Sequence, residues 1–147
     1  MKNMVLLIVV ATAVVAATSS IGAQVPIFAQ AVGFGTIKTP MTLNVKPGAM
    51  AVESITVNPG GSFGWHTHGA PVAVVVTSGT LTVFDPSIGN CAAFKVSKGQ
   101  AFIEPANHVH LARNETTKKA TLYATYLGIP KGIQANKPAE QPAGCNA

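Results

Sequence analysis

The chain has 147 residues, which is enough for one domain with a hydrophobic core. Its ten Lys and Arg outnumber its five Asp and Glu, for a formal net charge of +5. The basic residues are scattered, and only Lys118 and Lys119 are adjacent. Because no basic stripe is interleaved with aromatic residues, we do not expect the chain to bind nucleic acid.

The first 23 residues have the three parts of a secretory signal peptide. A start that contains Lys2 is followed by an apolar run from Val5 to Ala17 and then by small residues up to Ala23. We therefore predict a signal peptide over residues 1–23 and a secreted or periplasmic protein. The apolar run is short for a bilayer, so no stable membrane span is expected after cleavage. An uncleaved N-terminal anchor is the alternative.

The remaining chain shows strand patterns and no convincing helix. Residues 50–57 and 80–84 alternate between apolar and polar side chains, and residues 72–77 form a β-branched run that predicts a strand buried on both faces. Five further segments are predicted strands: 43–45, 92–96, 101–104, 108–113 and 120–126. Turn residues such as Asn58-Pro59-Gly60-Gly61 separate the segments. Many short strands at this spacing predict an all-β sandwich or barrel.

The last 18 residues differ from the rest of the chain. After Gly128 the sequence becomes polar and rich in proline, which predicts an irregular tail over residues 130–147. The two cysteines are Cys91 and Cys145. Because an exported chain enters an oxidising compartment, we expect them to form a disulfide that ties the tail to the domain. Two free thiols are the alternative.

The four histidines occur in two pairs, His66-x-His68 and His108-x-His110. Side chains at positions i and i+2 of a strand point to the same face, so His66 and His68 can aim two imidazoles at one point. A third imidazole from the second pair would complete a metal site, because such a site needs at least three protein ligands. By the same parity, Trp65 and Phe63 are expected on the opposite face.

These segments resemble the two sequence motifs of the cupin superfamily. Four residues match the first motif, G-x5-H-x-H-x3/4-E-x6-G, and four match the second, G-x5-P-x-G-x2-H-x3-N. The matches are Gly60, His66, His68 and Gly79 in the first and Gly99, Pro105, His110 and Asn114 in the second. The resemblance implies a single small jelly-roll β-barrel over residues 24–129. It also implies that His66, His68 and His110 are metal ligands inside the barrel.

Two positions depart from the family pattern. Asn107 replaces a glycine, and asparagine tolerates the left-handed conformation that glycine would supply. Val72 stands where the first motif has its glutamate, so the usual anionic ligand is missing there. Glu104 could replace it as a fourth ligand or could accept a hydrogen bond from a ligand histidine; a solvated position at the barrel rim is the alternative. His108 could be a base that contacts a ligand residue and not the metal, it could be another metal ligand, or it could lie at the rim of the barrel.

The sequence supports three functions. The first is binding of a divalent transition metal (Fe, Mn, Zn, Ni or Cu) in a small-molecule dioxygenase, since some three-histidine cupins oxidise thiols, diketones or gentisate. The second is a non-enzymatic module that binds a metal or a small ligand. The third is a barrel without a metal. A missing glutamate argues against oxalate-type and superoxide-type activities. Edge strands near the mature N-terminus also allow a homodimer.

Overall fold

A computed structural model describes residues 29–37 and 42–147. The predicted signal peptide over residues 1–23 lies outside these ranges. Residues 31–147 form one compact unit. The described residues form nine strands: β1 (Ala49–Val57), β2 (Ser62–Thr67), β3 (Val72–Ser78), β4 (Thr80–Phe84), β5 (Ala93–Ser97), β6 (Ala101–Glu104), β7 (His110–Arg113), β8 (Ala120–Ile129) and β9 (Lys137–Pro138). Within the described ranges, no helix is long and apolar enough to cross a bilayer.

The strands form two antiparallel sheets. One sheet has the order β1-β8-β3-β6 and the other β5-β4-β7-β2-β9. The hydrophobic core consists mainly of small and β-branched side chains: Val57, Val72, Val74, Val76, Leu81, Val83, Val96, Ala112, Ala120, Leu122, Ala124 and Tyr126. The all-β jelly-roll prediction is thus confirmed, with the strands hydrogen-bonded as two sheets.

Period-two alternation determines which side chains reach the core. Every second residue of β8 is buried, from Ala120 to Gly128, and the residues between them are half-buried. β3 follows the same pattern, with Val72, Val74 and Val76 buried. Its opposite face is only half-buried, so the prediction that this strand is fully buried on both faces was too strong. The chain at Gly33 covers part of this face, since a Cβ atom there would lie 2.5 Å from Thr77 Cγ2 and 3.8 Å from Val75 Cγ1.

Two local predictions were wrong. Residues 43–45 form no strand; they run along the surface beside Gly128, and both Leu43 and Val45 are exposed. Phe63 does not lie on the face opposite the histidines, because the register of β2 shifts between Ser62 and Trp65 and Gly64 adopts a φ of +69°. A bulge of this kind changes the parity of the strand. Phe63 therefore packs against the core, 5.8 Å from the His66 ring.

Three motif positions other than the histidines, Gly79, Asn107 and Asn114, have structural roles. Gly79 has a φ of +71°, and a Cβ atom there would lie 2.4 Å from the carbonyl oxygen of Lys119. Asn107 adopts a φ of +60°, which confirms the left-handed conformation expected of it. Asn114 is fully buried, and its amide donates hydrogen bonds to the carbonyls of Val57 (2.9 Å) and Lys118 (2.7 Å). Its side chain links the end of β1 to the turn before β8.

The disulfide between Cys91 and Cys145 is present, with the two Cα atoms 5.2 Å apart. It ties the end of the chain to the loop that follows β4. The tail is largely irregular, but β9 lies within it and pairs with His66 and Thr67 of β2. This short pairing carries no alternation signal, because only two residues take part in it.

Candidate metal centre

Three buried histidines converge between the sheets. His66 lies on β2, His110 lies opposite it on β7 as its cross-strand partner, and His68 follows the end of β2. Their ring centroids are 4.3 to 5.2 Å apart. One possible ligand atom from each ring lies within 4.8 Å of the other two. The cluster that the spacing and the family resemblance indicated is therefore assembled, and it could hold a metal ion.

A backbone carbonyl fixes each of the three rings. His66 Nδ1 lies 2.9 Å from the oxygen of Gly64, His68 Nδ1 lies 2.8 Å from that of Ala135, and His110 Nδ1 lies 3.1 Å from that of His108. A carbonyl can only accept a hydrogen bond, so Nδ1 carries the proton in each ring. In the uncharged imidazole, the lone pair is then on Nε2, which is the atom left to bind a metal.

Glu104 joins the cluster from the opposite sheet. Its Oε2 atom is 3.1 Å from His68 Nε2, and its Oε1 atom is 3.0 Å from His110 Nε2. In the register of β3 and β6, Glu104 is the direct partner of Val72. Directly opposed residues on one face of a sheet have Cβ atoms about 5 Å apart. The carboxylate missing at Val72 therefore has a counterpart on the adjacent strand, and Glu104 does not lie at an exposed rim.

The charges in this cluster are strongly coupled. Burial raises the pKa of Glu104, but the imidazoles of His110 and His68 outweigh that effect and lower it to about 2. Burial lowers the pKa of His110, but contact with Glu104 reverses the shift and raises it above its usual value. His66 has no such contact, so burial and the neighbouring imidazoles lower its pKa to about 4. At neutral pH, His66 is uncharged and Glu104 is an anion.

His108 lies beside this cluster and is not one of its three histidines. Its Nε2 atom is 2.8 Å from Asp85 Oδ1, and its ring is nearly parallel to that of His110 with the centroids 6.4 Å apart. Its backbone carbonyl accepts the hydrogen bond from His110 Nδ1. His108 thus has a partly exposed side chain, and its contact with His110 is made through the main chain.

The donor set fits a divalent transition metal. The Nε2 atoms of His68 and His110 are buried and have no hydrogen-bond partner among the described residues. With the proton on Nδ1, each Nε2 atom has only a lone pair, and the carboxylate oxygens 3.0–3.1 Å away cannot donate to it. Unpaired buried nitrogen atoms are costly unless another group binds them. If two ligand atoms each lie about 2.1 Å from one cation and subtend a right angle at it, they are about 3 Å apart. The distances from the Nε2 atoms of His68 and His110 to the Glu104 oxygens, 3.1 and 3.0 Å, agree with this spacing. Imidazole and carboxylate together suit several first-row metals.

A small cavity adjoins the cluster. It has a volume of about 30 Å³, room for about two water molecules. The wall beside His66, His68 and Glu104 is mainly apolar, and Tyr126 and Asn136 are its other polar residues. The Tyr126 ring packs edge-on against His68, with centroids 5.5 Å apart, and its hydroxyl donates a hydrogen bond to Glu53. In this conformation the cavity accepts a ligand of only a few atoms.

Two contributors to the site have no signal in the sequence. One is the carbonyl of Ala135, which is 67 residues from the histidine that it holds. A backbone group carries no residue-type signature, so only knowledge of where the tail lies could have found it. The other is Tyr126, which could have been noticed only as an inward-facing aromatic residue on β8. The spacing of the histidines, in contrast, predicts their cluster, whereas it leaves the position of Glu104 open.

Comparisons with known proteins agree with this architecture. The family described as "Cupin domain" matches residues 53–126. No curated protein matches the chain. Among solved structures, a protein with a double-stranded β-helix domain from Klebsiella pneumoniae is 18% identical over 78% of this chain and 86% of its own, with a TM-score of 0.51.

Two enzymes also have similar structures. The polyketide cyclase RemF from Streptomyces resistomycificus is 16% identical, with 65% of this chain and 63% of that chain covered and a TM-score of 0.53. The DMSP lyase DddQ from Ruegeria pomeroyi is 14% identical, with 61% and 43% covered and a TM-score of 0.53. This chain thus spans less than two thirds of either enzyme, and at such identities the likeness concerns the fold alone. With the family match, the two facing sheets and the motif residues in place, the chain belongs to the cupin superfamily.

Proposed function

We propose that this protein binds one divalent transition metal through His66, His68, His110 and Glu104. The observation that carries the proposal is the convergence of three imidazoles, each with Nδ1 occupied by a carbonyl, on a buried carboxylate. A bound cation would bind the two imidazole nitrogens that have no hydrogen-bond partner beside that carboxylate. The metal would be Fe, Mn, Zn, Ni or Cu, since imidazole and carboxylate ligands suit each of them.

The proposed role is first that of a binding module. A bound divalent cation would supply Lewis acidity and coordination positions for an exogenous ligand. The protein would orient the four ligands, exclude bulk water and limit the exogenous ligand to a few atoms, since the adjoining cavity is only about 30 Å³. The Cys91–Cys145 disulfide supports the proposal that the protein works in a secreted or periplasmic setting.

Metal analysis of the protein purified without a histidine tag tests this proposal. We expect about one equivalent of a transition metal per chain after reconstitution, and less than about 0.1 equivalent in the variant His110→Gln. His108→Gln is the matched control, because it removes an imidazole next to His110 that lies outside the cluster. Metal content below about 0.1 equivalent in the reconstituted wild-type protein would contradict metal binding.

A small-molecule dioxygenase is the second candidate. The cavity beside His66, His68 and Glu104 favours it, because it has room for a diatomic ligand next to the proposed metal. Protein reconstituted with Fe(II) should then consume oxygen with a thiol of only a few atoms, and the His110→Gln variant should not. Oxygen uptake no faster than that of the metal-free protein, with a series of small thiols, would leave the binding module as the function.

A homodimer is a separate proposal. β1 is an edge strand of nine residues and exposes two large apolar side chains, Met50 (70%) and Val52 (64%). Exposed apolar edges of this length favour pairing with another chain. Light scattering should report a mass of two chains for the wild-type protein and a lower mass for Val52→Lys. A monomeric wild-type protein at high concentration would refute the dimer.

A further inference from the structure

The C-terminal tail runs directly over the histidine cluster. Within it, the carbonyl of Ala135 accepts the hydrogen bond from His68 Nδ1 at 2.8 Å, and β9 pairs with His66 and Thr67. The amide of Ala139 donates a hydrogen bond of 2.9 Å to the carbonyl of Trp65. Two of the three clustered histidines therefore have the tail as a direct neighbour.

His68 depends on the tail in a way that the other two histidines do not. The carbonyls that hold His66 and His110 belong to residues two positions earlier in the chain, so they stay in place whenever the strand does. The carbonyl that holds His68 belongs to Ala135, 67 residues away. His68 also lies just past the end of β2, outside the regular ladder. Its orientation is therefore set by whether the tail is in position.

Apart from the disulfide, the described contacts of the tail are short: the β9 pairing, the Ala139 hydrogen bond and the packing of Ala135 against the core. Between Pro130 and β9, the amide of Ile133 donates a hydrogen bond of 3.1 Å to the carbonyl of Pro130, which closes a local turn. β9 itself is only two residues long. At the far end, Cys145 is buried at 2% exposure and bonded to Cys91, and Gln141 Nε2 donates to the carbonyl of Cys145. The disulfide thus fixes the end of a segment that is otherwise lightly paired.

We propose that residues 130–147 are a positioning element of the metal centre, and that the Cys91–Cys145 disulfide holds them there. The carbonyl of Ala135 keeps the proton of His68 on Nδ1 and leaves Nε2 directed at the cluster. Opening the disulfide would release this carbonyl and let the His68 ring rotate and change tautomer. The consequence for metal retention rests on the proposed function, whereas the fixed tautomer of His68 is a property of the metal-free protein.

The double variant Cys91→Ser/Cys145→Ser tests the proposal in two ways. In the metal-free protein, nitrogen-15 NMR of the histidine rings should show that His68 loses its single tautomer, while His66 and His110 keep theirs. In a titration with Zn(II) against a chelating competitor, the variant should bind at least about tenfold more weakly, as is usual when a hydrogen-bond partner of a ligand histidine is lost. Asp85→Asn is the control, because it removes the negative charge that the same loop places beside His108 and retains the disulfide.

The possible results separate cleanly. An unchanged His68 tautomer in the double variant would overturn the proposal, whatever the zinc affinity of that variant. If the wild-type protein binds zinc, a double variant with the same zinc affinity would also overturn it. If the wild-type protein binds no zinc, the proposed function fails and the tautomer of His68 alone decides the positioning role. If the double variant does not fold, the same two measurements on wild-type protein reduced with a phosphine, then desalted under nitrogen, take its place.

Discussion

Glu104→Gln is the change that examines the proposed metal centre most closely. It preserves the volume of the side chain but removes the negative charge and replaces one carboxylate oxygen with an NH2 group. The carboxylate oxygens lie 3.1 and 3.0 Å from the Nε2 atoms of His68 and His110. Because the residue is only 8% exposed, water screens these interactions weakly.

The size of the effect follows from how strongly the site favours an anion. The pKa of Glu104 falls from its ordinary 4.5 to about 2, after a burial effect of opposite sign has been overcome. That difference corresponds to about 3 kcal/mol in favour of the carboxylate. A dication attracts the carboxylate more strongly than imidazoles do, so we expect Glu104→Gln to lose at least about 100-fold in metal affinity, or about 2.7 kcal/mol. One effect opposes the loss: without Glu104 the pKa of His110 is lower, so a metal displaces the proton of His110 more easily.

Competition with a chromophoric chelator for Zn(II) measures the change. Glu115→Gln is the matched control, since its carboxylate lies at the surface beside Arg113 and away from the cluster. We expect the affinity of this control to remain within about twofold of the wild type. A Glu104→Gln protein that binds zinc within about threefold of the wild type would refute the placement of this carboxylate at the metal.

Three further outcomes are expected. The metal-free protein should lose up to about 3 kcal/mol of unfolding free energy as the pH falls from 6.5 to about 4. The reason is that burial lowers the pKa of His66 to about 4 in the folded protein, whereas the same histidine in the unfolded chain takes up its proton near pH 6.5. Urea unfolding should show this loss in the wild-type protein and not in His66→Gln. Asn114→Ala should cost about 2–4 kcal/mol by urea unfolding, because it leaves the carbonyl of Val57 without its donor; a loss below about 0.5 kcal/mol would contradict that role. The double swap Val72→Glu/Glu104→Val should retain metal binding that Glu104→Val alone loses, since the two positions are cross-strand partners; equal affinities for the double and single variants would argue against it.

Part of this site could be predicted from sequence because it depends on local spacing. His66 and His68 share a face by strand parity, and the motif spacing places His110 in the same cluster. Parity fails where the backbone departs from a regular strand, and the bulge at Gly64 is the reason that Phe63 was assigned to the wrong face.

The rest of the site depends on long-range pairing, which no local pattern encodes. The alternatives for Glu104 stayed open in the sequence because only the register of β3 with β6 places it opposite Val72. The support of His68 by the carbonyl of Ala135 depends on the path of the tail, and the disulfide predicted from the two cysteines limits that path only at its end. A backbone acceptor in a segment without periodicity leaves no trace in residue type.

The most direct test of the account is a crystal structure of the protein reconstituted with Zn(II), with anomalous diffraction recorded at the zinc absorption edge. The account predicts one anomalous peak between the two sheets, bonded to the Nε2 atoms of His66, His68 and His110 and to one oxygen of Glu104, with bond lengths of about 2.0–2.2 Å. A cluster without an anomalous peak, or zinc bound through other residues, would contradict it.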